Sequence, residues 1–165
     1  ERQWWKERPA VSAETIRLEI ATPDSSDKLG WRALFQAYLR GLEMPVREEI
    51  VERAWAWLAD ANHPLEALMA RTADGEPVGF VHFRAFPDPL TAKVAGTIED
   101  VFVLPHHRGS GAAEALIAVL SDTARKRRWI GLQWQAPEMA YRARGLFDKV
   151  AVRTKWAIYE MDLQE

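Results

Sequence analysis

The sequence predicts a single mixed α/β domain with a sheet that is partly parallel and partly antiparallel. Short segments that alternate apolar and polar residues, typical of strands, separate longer segments whose apolar residues recur at helical spacing. Asp74-Gly75 between two apolar segments predicts an antiparallel hairpin, and strand–helix–strand units near the C-terminal end predict parallel pairing. A length of 165 residues, of which 48% are hydrophobic, suits one domain with a sizeable core.

The first half of the chain predicts one strand and two helices. Residues 1–13 hold two tryptophans among charged side chains, and we expect an N-terminal extension there, followed by one domain over residues 14–165. Residues 15–22 alternate as a half-buried strand does. One helix is predicted before Pro45 and one after it, each with an apolar face. These faces consist of Trp31, Leu34, Phe35, Tyr38, Leu39 and Leu42, and of Ile50, Ala54, Trp57, Leu58 and Ala61.

The second half predicts five strands and two helices. The strands are expected at residues 65–71, 78–86, 97–104, 130–135 and 154–163, and the helices at about residues 109–127 and 141–149. The longer helix has Leu116 and Leu120 on its apolar face, at the spacing of one helical turn. The resulting order is β-α-α-β-β-β-α-β-α-β, an α/β fold with a mixed sheet.

Composition excludes several classes of function. The formal net charge of −2 gives no electrostatic footprint for nucleic-acid binding, and no apolar run reaches the length of a transmembrane helix. Cysteine is absent, so disulfides, thiolate metal sites and a cysteine nucleophile are excluded, and we expect a cytoplasmic protein. His106 and His107 could suggest a metal site, with His63 and His82 as partners. Adjacent histidines are poor co-ligands and the other two have no matching spacing, so we expect no metal.

A glycine-containing turn lies between a predicted strand and the long helix. Glycines let the backbone turn tightly, so that amide hydrogens at the helix N-terminus point into one concavity suited to an anion. Arg108 adds a cation that suits phosphate. The pattern lacks the features of a P-loop or a dinucleotide fingerprint, and a plain turn before a helix is the alternative. The turn consists of Arg108, Gly109, Ser110, Gly111, Ala112 and Ala113.

Residues 97–120 (TIEDVFVLPHHRGSGAAEALIAVL) resemble the central strand, turn and helix of the GNAT superfamily of acyl-CoA-dependent N-acyltransferases. The family's motif is matched by Arg108, Gly111 and Ala113, and the order of elements is similar over about residues 16–163. The acidic pair before the turn is similar to that of polyamine acetyltransferases and their bacterial relatives. The resemblance implies an N-acetyltransferase that uses acetyl-CoA as co-substrate and forms a homodimer.

The resemblance also implies which residues bind the cofactor. The pyrophosphate is expected on the amides of residues 109–113, with pantetheine along Val101, Phe102 and Val103. That strand is expected to splay from the next one and open a wedge. Phe147 is expected beside the thiol end of the cofactor.

Glu99 and Asp100 are the candidate catalytic residues. We expect Glu99, or alternatively Asp100, to deprotonate a primary amine such as a polyamine, an amino acid or a lysine-like group. Consecutive strand residues face opposite sides, so only one carboxylate should enter the wedge unless a bulge intervenes. Without a cysteine, direct transfer in a ternary complex is the simplest route. Candidate substrate contacts are Tyr38, Glu43 and Trp134.

Two positions depart from the family's pattern. Ala140 stands where asparagine is common, and Phe147 stands where a tyrosine often protonates the leaving thiolate. Water or another residue can supply that proton, because general-acid help contributes only about 10²- to 10⁴-fold. The alternative is a CoA-binding or interaction module with this fold and little or no catalytic activity.

Overall fold

A computed structural model describes residues 17–163 as two compact parts, residues 17–135 and residues 136–163. The extension expected at residues 1–13 lies outside the described residues. The larger part contains all five strands and three of the four α-helices that are described. In chain order its elements are β1 (Glu19–Ala21), α1 (Lys28–Gly41), α2 (Glu48–Ala59), β2 (Glu66–Arg71), β3 (Pro77–Asp88), β4 (Lys93–Val103), α3 (Ala112–Lys126) and β5 (Leu132–Trp134).

The five strands form one sheet in the order β1-β2-β3-β4-β5. The first four strands are antiparallel neighbours, and β5 joins β4 in parallel. This mixed α/β sheet confirms the predicted fold class. Prediction missed the full length of the central hairpin, because residues 87 and 88, expected in a proline-containing loop, pair with residues 94 and 93 of β4.

Each face of the sheet carries its own apolar core. On one face α1 and α2 pack over β2 to β4, and Trp31, Phe80 and Phe102 are central to that cluster. On the other face α3 packs through Leu116 and Leu120. Neighbouring residues of β3 point to opposite cores, as strand geometry requires. A side chain on β3 or β4 therefore lies either under α1 and α2 or under α3.

The smaller part, residues 136–163, contains α4 (Tyr141–Val150), close to the predicted helix. The strand predicted at residues 154–163 is wrong, because these residues carry no regular secondary structure. Trp156 and Tyr159 there are 74% and 93% exposed. Alternating apolar residues favour a strand only where another strand supplies hydrogen bonds and cross-strand contacts, and the described sheet ends at β5.

Candidate active site

A β-bulge in β4 brings both candidate carboxylates to the same face of the sheet. His82 of β3 pairs with Asp100, whereas the next residue, Phe83, pairs with Ile98, so Glu99 is the extra residue. The partners of the two carboxylates, His82 and Arg84, are two residues apart on β3 and thus share a face. We expected only one of the two acids on this face unless a bulge intervened, and the structure contains that bulge.

Asp100 accepts hydrogen bonds at both of its carboxylate oxygens. The Tyr38 hydroxyl of α1 donates to Oδ1 over 2.6 Å, and His82 Nδ1 lies 2.9 Å from Oδ2. The side chain retains 26% exposure, whereas that of His82 retains 3%. Asp100 is therefore held between a helix and a strand, with one side open.

The hydrogen-bond partners of His82 determine which of its ring nitrogens carries the proton. Trp31 Nε1 lies 3.0 Å from His82 Nε2, and an indole N–H can only donate. Nε2 must then accept, which places the ring proton on Nδ1, where it donates to Asp100. Trp31 is fully buried, so this chain of hydrogen bonds runs from the core to the partly open carboxylate.

These contacts decide the ionisation of Asp100 and Tyr38. Burial raises the pKa of Asp100, but the hydrogen bond and electrostatic interaction with His82, together with the hydrogen bond from Tyr38, outweigh it and hold the pKa below its usual value. Burial also raises the pKa of the Tyr38 hydroxyl far above its usual value, and the hydrogen bond to Asp100 adds to the effect. Near neutral pH, Asp100 is an anion and Tyr38 is a neutral donor.

Glu99 lies at the more exposed end of the same face. Its carboxylate pairs with Arg84 Nε, and the two side chains are 37% and 46% exposed. An exposed pair of this kind contributes about 0–1 kcal/mol, so little energy is lost when it opens. Glu99 is therefore more accessible to solvent and substrate than Asp100.

One backbone edge of β4 is free of a strand partner beyond the bulge. Pairing with β5 ends at Ile98 and Trp134. Leu104 N–H donates to Val78 of β3, so by alternation Val101 and Val103 direct their backbone groups away from β3. By the same alternation the backbone groups of Phe102 face β3, and its side chain packs in the core under α1 and α2. The edge without a strand partner thus consists of the backbone groups of Val101 and Val103, of which the Val103 carbonyl accepts a hydrogen bond from Arg108.

The turn after β4 presents uncapped amides at the start of α3. Gly109 and Gly111 have φ values of 84° and 85°, the left-handed conformation that glycine adopts without strain. Gly111 is the N-cap, and no side chain bonds the first amides of α3. An added Cβ at Gly111 meets nothing within 4 Å. The first N–H groups of the helix, including those of Ala112 and Ala113, therefore carry no side-chain cap and suit an anion.

Two polar side chains of the turn are fixed by backbone carbonyls. Ser110 Oγ donates to His107 O over 2.6 Å, so its hydroxyl braces the turn. Arg108 Nε donates to Val103 O over 3.2 Å. That bond uses Nε alone, and the two terminal nitrogens of the guanidinium group are the ones that suit a phosphate.

The remaining candidate residues lie elsewhere. Glu43 follows α1 with φ of 57°, and its exposed side chain stands at the left-handed position of a helix C-terminal motif. Trp134 packs against the core under α3, on the opposite face from Tyr38. Phe147 lies in α4, within the smaller part of the structure.

Three residues of the site were missed at the sequence level. His82 was considered only as a metal partner, and Trp31 only as core, although both join the Asp100 network. Arg84 was not singled out. A usable signal was present, because His82 and Arg84 interrupt an otherwise apolar strand on the face that carries Phe80.

Some classes of site are absent from the described part of the chain. Across residues 17–163, no three or more histidine, aspartate or glutamate side chains are grouped so as to hold a metal ion. None of the helices in the same range has the length and apolar character of a membrane span.

Comparison with known proteins identifies the family. Residues 31–150 match the model of the acetyltransferase (GNAT) family. The chain is 34% identical over 118 residues to an aminoglycoside N(6')-acetyltransferase type 1 from Stenotrophomonas maltophilia, covering 70% of each protein. It is 34% identical to a ribosomal-protein-alanine N-acetyltransferase structure from Brucella melitensis biovar Abortus 2308, with a TM-score of 0.77 over 88% of this chain and 99% of the other.

A third structure is similar in fold. AAC(6')-Iy, in complex with the bisubstrate analog CoA-S-monomethyl-acetylneamine, is 18% identical with a TM-score of 0.76, over 88% of this chain and 98% of the other. Together with the match to the family model, the mixed sheet and the glycine turn define an acyltransferase. The chain belongs to the GNAT family of acetyltransferases, and it is an N-acetyltransferase of the kind that uses acetyl-CoA.

Proposed function

We propose that the protein transfers the acetyl group of acetyl-CoA directly to the primary amine of a polyamine, an amino acid or a lysine-like acceptor, as a cytoplasmic homodimer. The observation that carries the proposal is the bulge at Glu99, which turns two carboxylates to one face beside the free edge of β4. Named relatives act on amines of different kinds, and this supports an amine acceptor.

Acetyl-CoA fits the free edge and the turn. The amides at the start of α3 and the terminal nitrogens of Arg108 would hold its pyrophosphate. The backbone groups of Val101 and the N–H of Val103 would bind its pantetheine arm, since they face away from β3 and the Val103 carbonyl is taken by Arg108. When bound, acetyl-CoA supplies an acetyl group activated as a thioester.

The two carboxylates have different roles in the proposed reaction. Asp100, with its lowered pKa, is a weak base but a strong anchor for a protonated amine. Glu99, more exposed, receives the amine proton directly or through water. The amine nitrogen then forms a bond to the carbonyl carbon, the carbon–sulfur bond breaks, and sulfur leaves as a thiolate that water protonates. A strand amide near Val101 to Val103 stabilises the oxyanion.

A titration calorimetry experiment tests the cofactor site. The wild-type protein should bind acetyl-CoA saturably, and Arg108→Ala should weaken binding about tenfold or more, the equivalent of one charge-assisted hydrogen bond. Arg47→Ala is the matched control, because Arg47 precedes α2. The affinity of this variant for acetyl-CoA should equal that of the wild type. Equal affinity for the wild type and Arg108→Ala would refute the pyrophosphate assignment.

Steady-state kinetics then test the reaction. Release of free CoA thiol should depend on a primary amine, and double-reciprocal plots at several amine concentrations should intersect, as a ternary complex requires. Parallel plots would contradict direct transfer. Sedimentation at micromolar concentration should give a dimer.

The second candidate function is a CoA-binding module without efficient catalysis. Phe147, which cannot donate a proton, favours it. Saturable acetyl-CoA binding without thiol release, for every class of amine tested, would support this module over the enzyme.

A further inference from the structure

The hydrogen bonds behind Asp100 form a chain with one possible arrangement of protons. Trp31 Nε1–H donates to His82 Nε2, His82 Nδ1–H donates to Asp100 Oδ2, and the Tyr38 hydroxyl donates to Oδ1. The chain starts at a tryptophan with no exposed surface and ends at a carboxylate that is 26% exposed. Each of the three donors has one acceptor, and the Asp100 carboxylate accepts two of the three hydrogen bonds.

His82 is well placed to act on Asp100 without touching the acceptor. The residue is 2% exposed, and its ring stacks on Phe80 with centroids 4.3 Å apart. Phe35 lies edge-on at 5.7 Å. The aromatic packing fixes the ring plane, and the hydrogen bond from the Trp31 indole fixes the tautomer. A buried ring with these constraints cannot rotate to offer its other nitrogen.

We propose that His82, locked by Trp31 with its proton on Nδ1, is a positioning residue that keeps Asp100 ionised and oriented to bind the ammonium group of the acceptor. This inference rests on the proposed function, because it assigns the acceptor amine to Asp100. It goes further in naming two core residues, from α1 and β3, that determine how the acceptor is bound.

The charged and titratable groups around the network are few in the described part of the chain. From α1 it is Tyr38 that reaches Asp100, and from α2 the ring nearest to Trp31 is that of Trp55, which carries no charge. Along β3 and β4 the adjacent pair is Arg84 and Glu99. Loss of the His82 donor should therefore act mainly on Asp100.

Two substitutions of similar size distinguish the roles of the two ring nitrogens of His82. His82→Asn can place an amide N–H near the position of Nδ1 and so retain the donor to Asp100. His82→Gln reaches the position of Nε2, where its oxygen can accept from Trp31, but leaves no donor near Asp100. Both variants stay polar, and urea unfolding checks that each is folded.

The first readout is carbon-detected NMR titration of the Asp100 carboxyl group. His82→Gln should raise its midpoint by about one pH unit, the equivalent of one lost hydrogen bond to a charged group, whereas His82→Asn should leave it within a few tenths. In the wild type, long-range ¹H–¹⁵N spectra should show the His82 proton on Nδ1. A proton on Nε2, or equal midpoints in all three proteins, would overturn the proposal whether or not the enzyme turns over.

The second readout is kinetic. His82→Gln should raise KM for the amine about tenfold, the equivalent of one orienting hydrogen bond, with KM for acetyl-CoA unchanged. His82→Asn should restore most of the loss. A purely structural role would change both KM values together or neither, and that result would also overturn the proposal. Absence of turnover in the wild type refutes the proposed function alone, since the NMR results stand by themselves.

Discussion

The single ring proton of His82 predicts an energetic coupling between Trp31 and Asp100, which lie on opposite sides of that ring. In Asp100→Asn the new amide oxygen can still accept from the Tyr38 hydroxyl, and the amide nitrogen then turns its hydrogens toward Nδ1. If His82 keeps its proton on Nδ1, two donors meet there. If the proton moves to Nε2, it meets the Trp31 indole N–H. The reverse orientation of the amide satisfies Nδ1–H but leaves the Tyr38 hydroxyl proton without an acceptor.

The size of the coupling follows from that conflict. A buried donor left without an acceptor costs about 1–3 kcal/mol, and Asp100→Asn in the wild type must leave one. In the Trp31→His background, the new imidazole can place a nitrogen where the indole nitrogen stood, and that nitrogen can accept as well as donate. His82 can then donate from Nε2 to this nitrogen and accept from the asparagine through Nδ1, so every donor has an acceptor. The substitution should then cost about 1–3 kcal/mol less than it does in the wild type. Loss of the negative charge is common to both backgrounds and cancels.

Urea unfolding at pH 7 of the wild type, both single variants and the double variant measures this coupling. Glu99→Gln in both backgrounds is the matched control, because Glu99 bonds Arg84 and not His82, and its effect should be additive. For a chain of this size 1 kcal/mol corresponds to a change in Tm of about 2–4 °C, so thermal melts give a second measure. Additivity of Trp31→His and Asp100→Asn within about 0.5 kcal/mol would refute the assigned tautomer.

Two further predictions concern stability. Glu43→Gly should raise the free energy of unfolding by about 1 kcal/mol, because glycine adopts the left-handed conformation at this position without strain; an unchanged urea midpoint would contradict this. The lowered pKa of Asp100 means that its ionised form stabilises the fold above about pH 4 and that this contribution is lost as the pH falls through the folded-state pKa. Acid titration followed by circular dichroism should therefore show a steeper loss in the wild type than in Asp100→Asn, and parallel curves would contradict it.

Local patterns predicted most of the elements because those patterns depend on near neighbours. The apolar stripe of α3 and the Asp74-Gly75 turn are examples of this kind. The prediction of a strand at residues 154–163 was wrong because a strand depends on more than its near neighbours in sequence. A strand requires a partner edge, and alternation in one segment carries no information about whether such an edge is available.

The turn before α3 was accessible from sequence because it depends on backbone conformation at consecutive residues. Two glycines before a helix specify the turn, and the structure gives both Gly109 and Gly111 positive φ values. The network around Asp100 was not accessible in this way. It joins residues that are 51 and 18 positions apart along the chain, and nothing local to His82 indicates which nitrogen is paired.

The bulge at Glu99 could not be predicted from the alternation of residues along β4. Ile98 and Val101 both pack in the core under α3, although they are three residues apart, and such odd spacing within one face requires an extra residue between them. A strand with one solvated face would have shown the break as a shift in alternation. Here both faces are covered, so residues 101–103 are all apolar and the shift is masked. Without the bulge, Asp100 would share a face with Ile98 and enter the apolar core under α3. The one-residue insertion is therefore what makes this carboxylate compatible with the fold, and it also places Asp100 where Tyr38 and His82 can hold it.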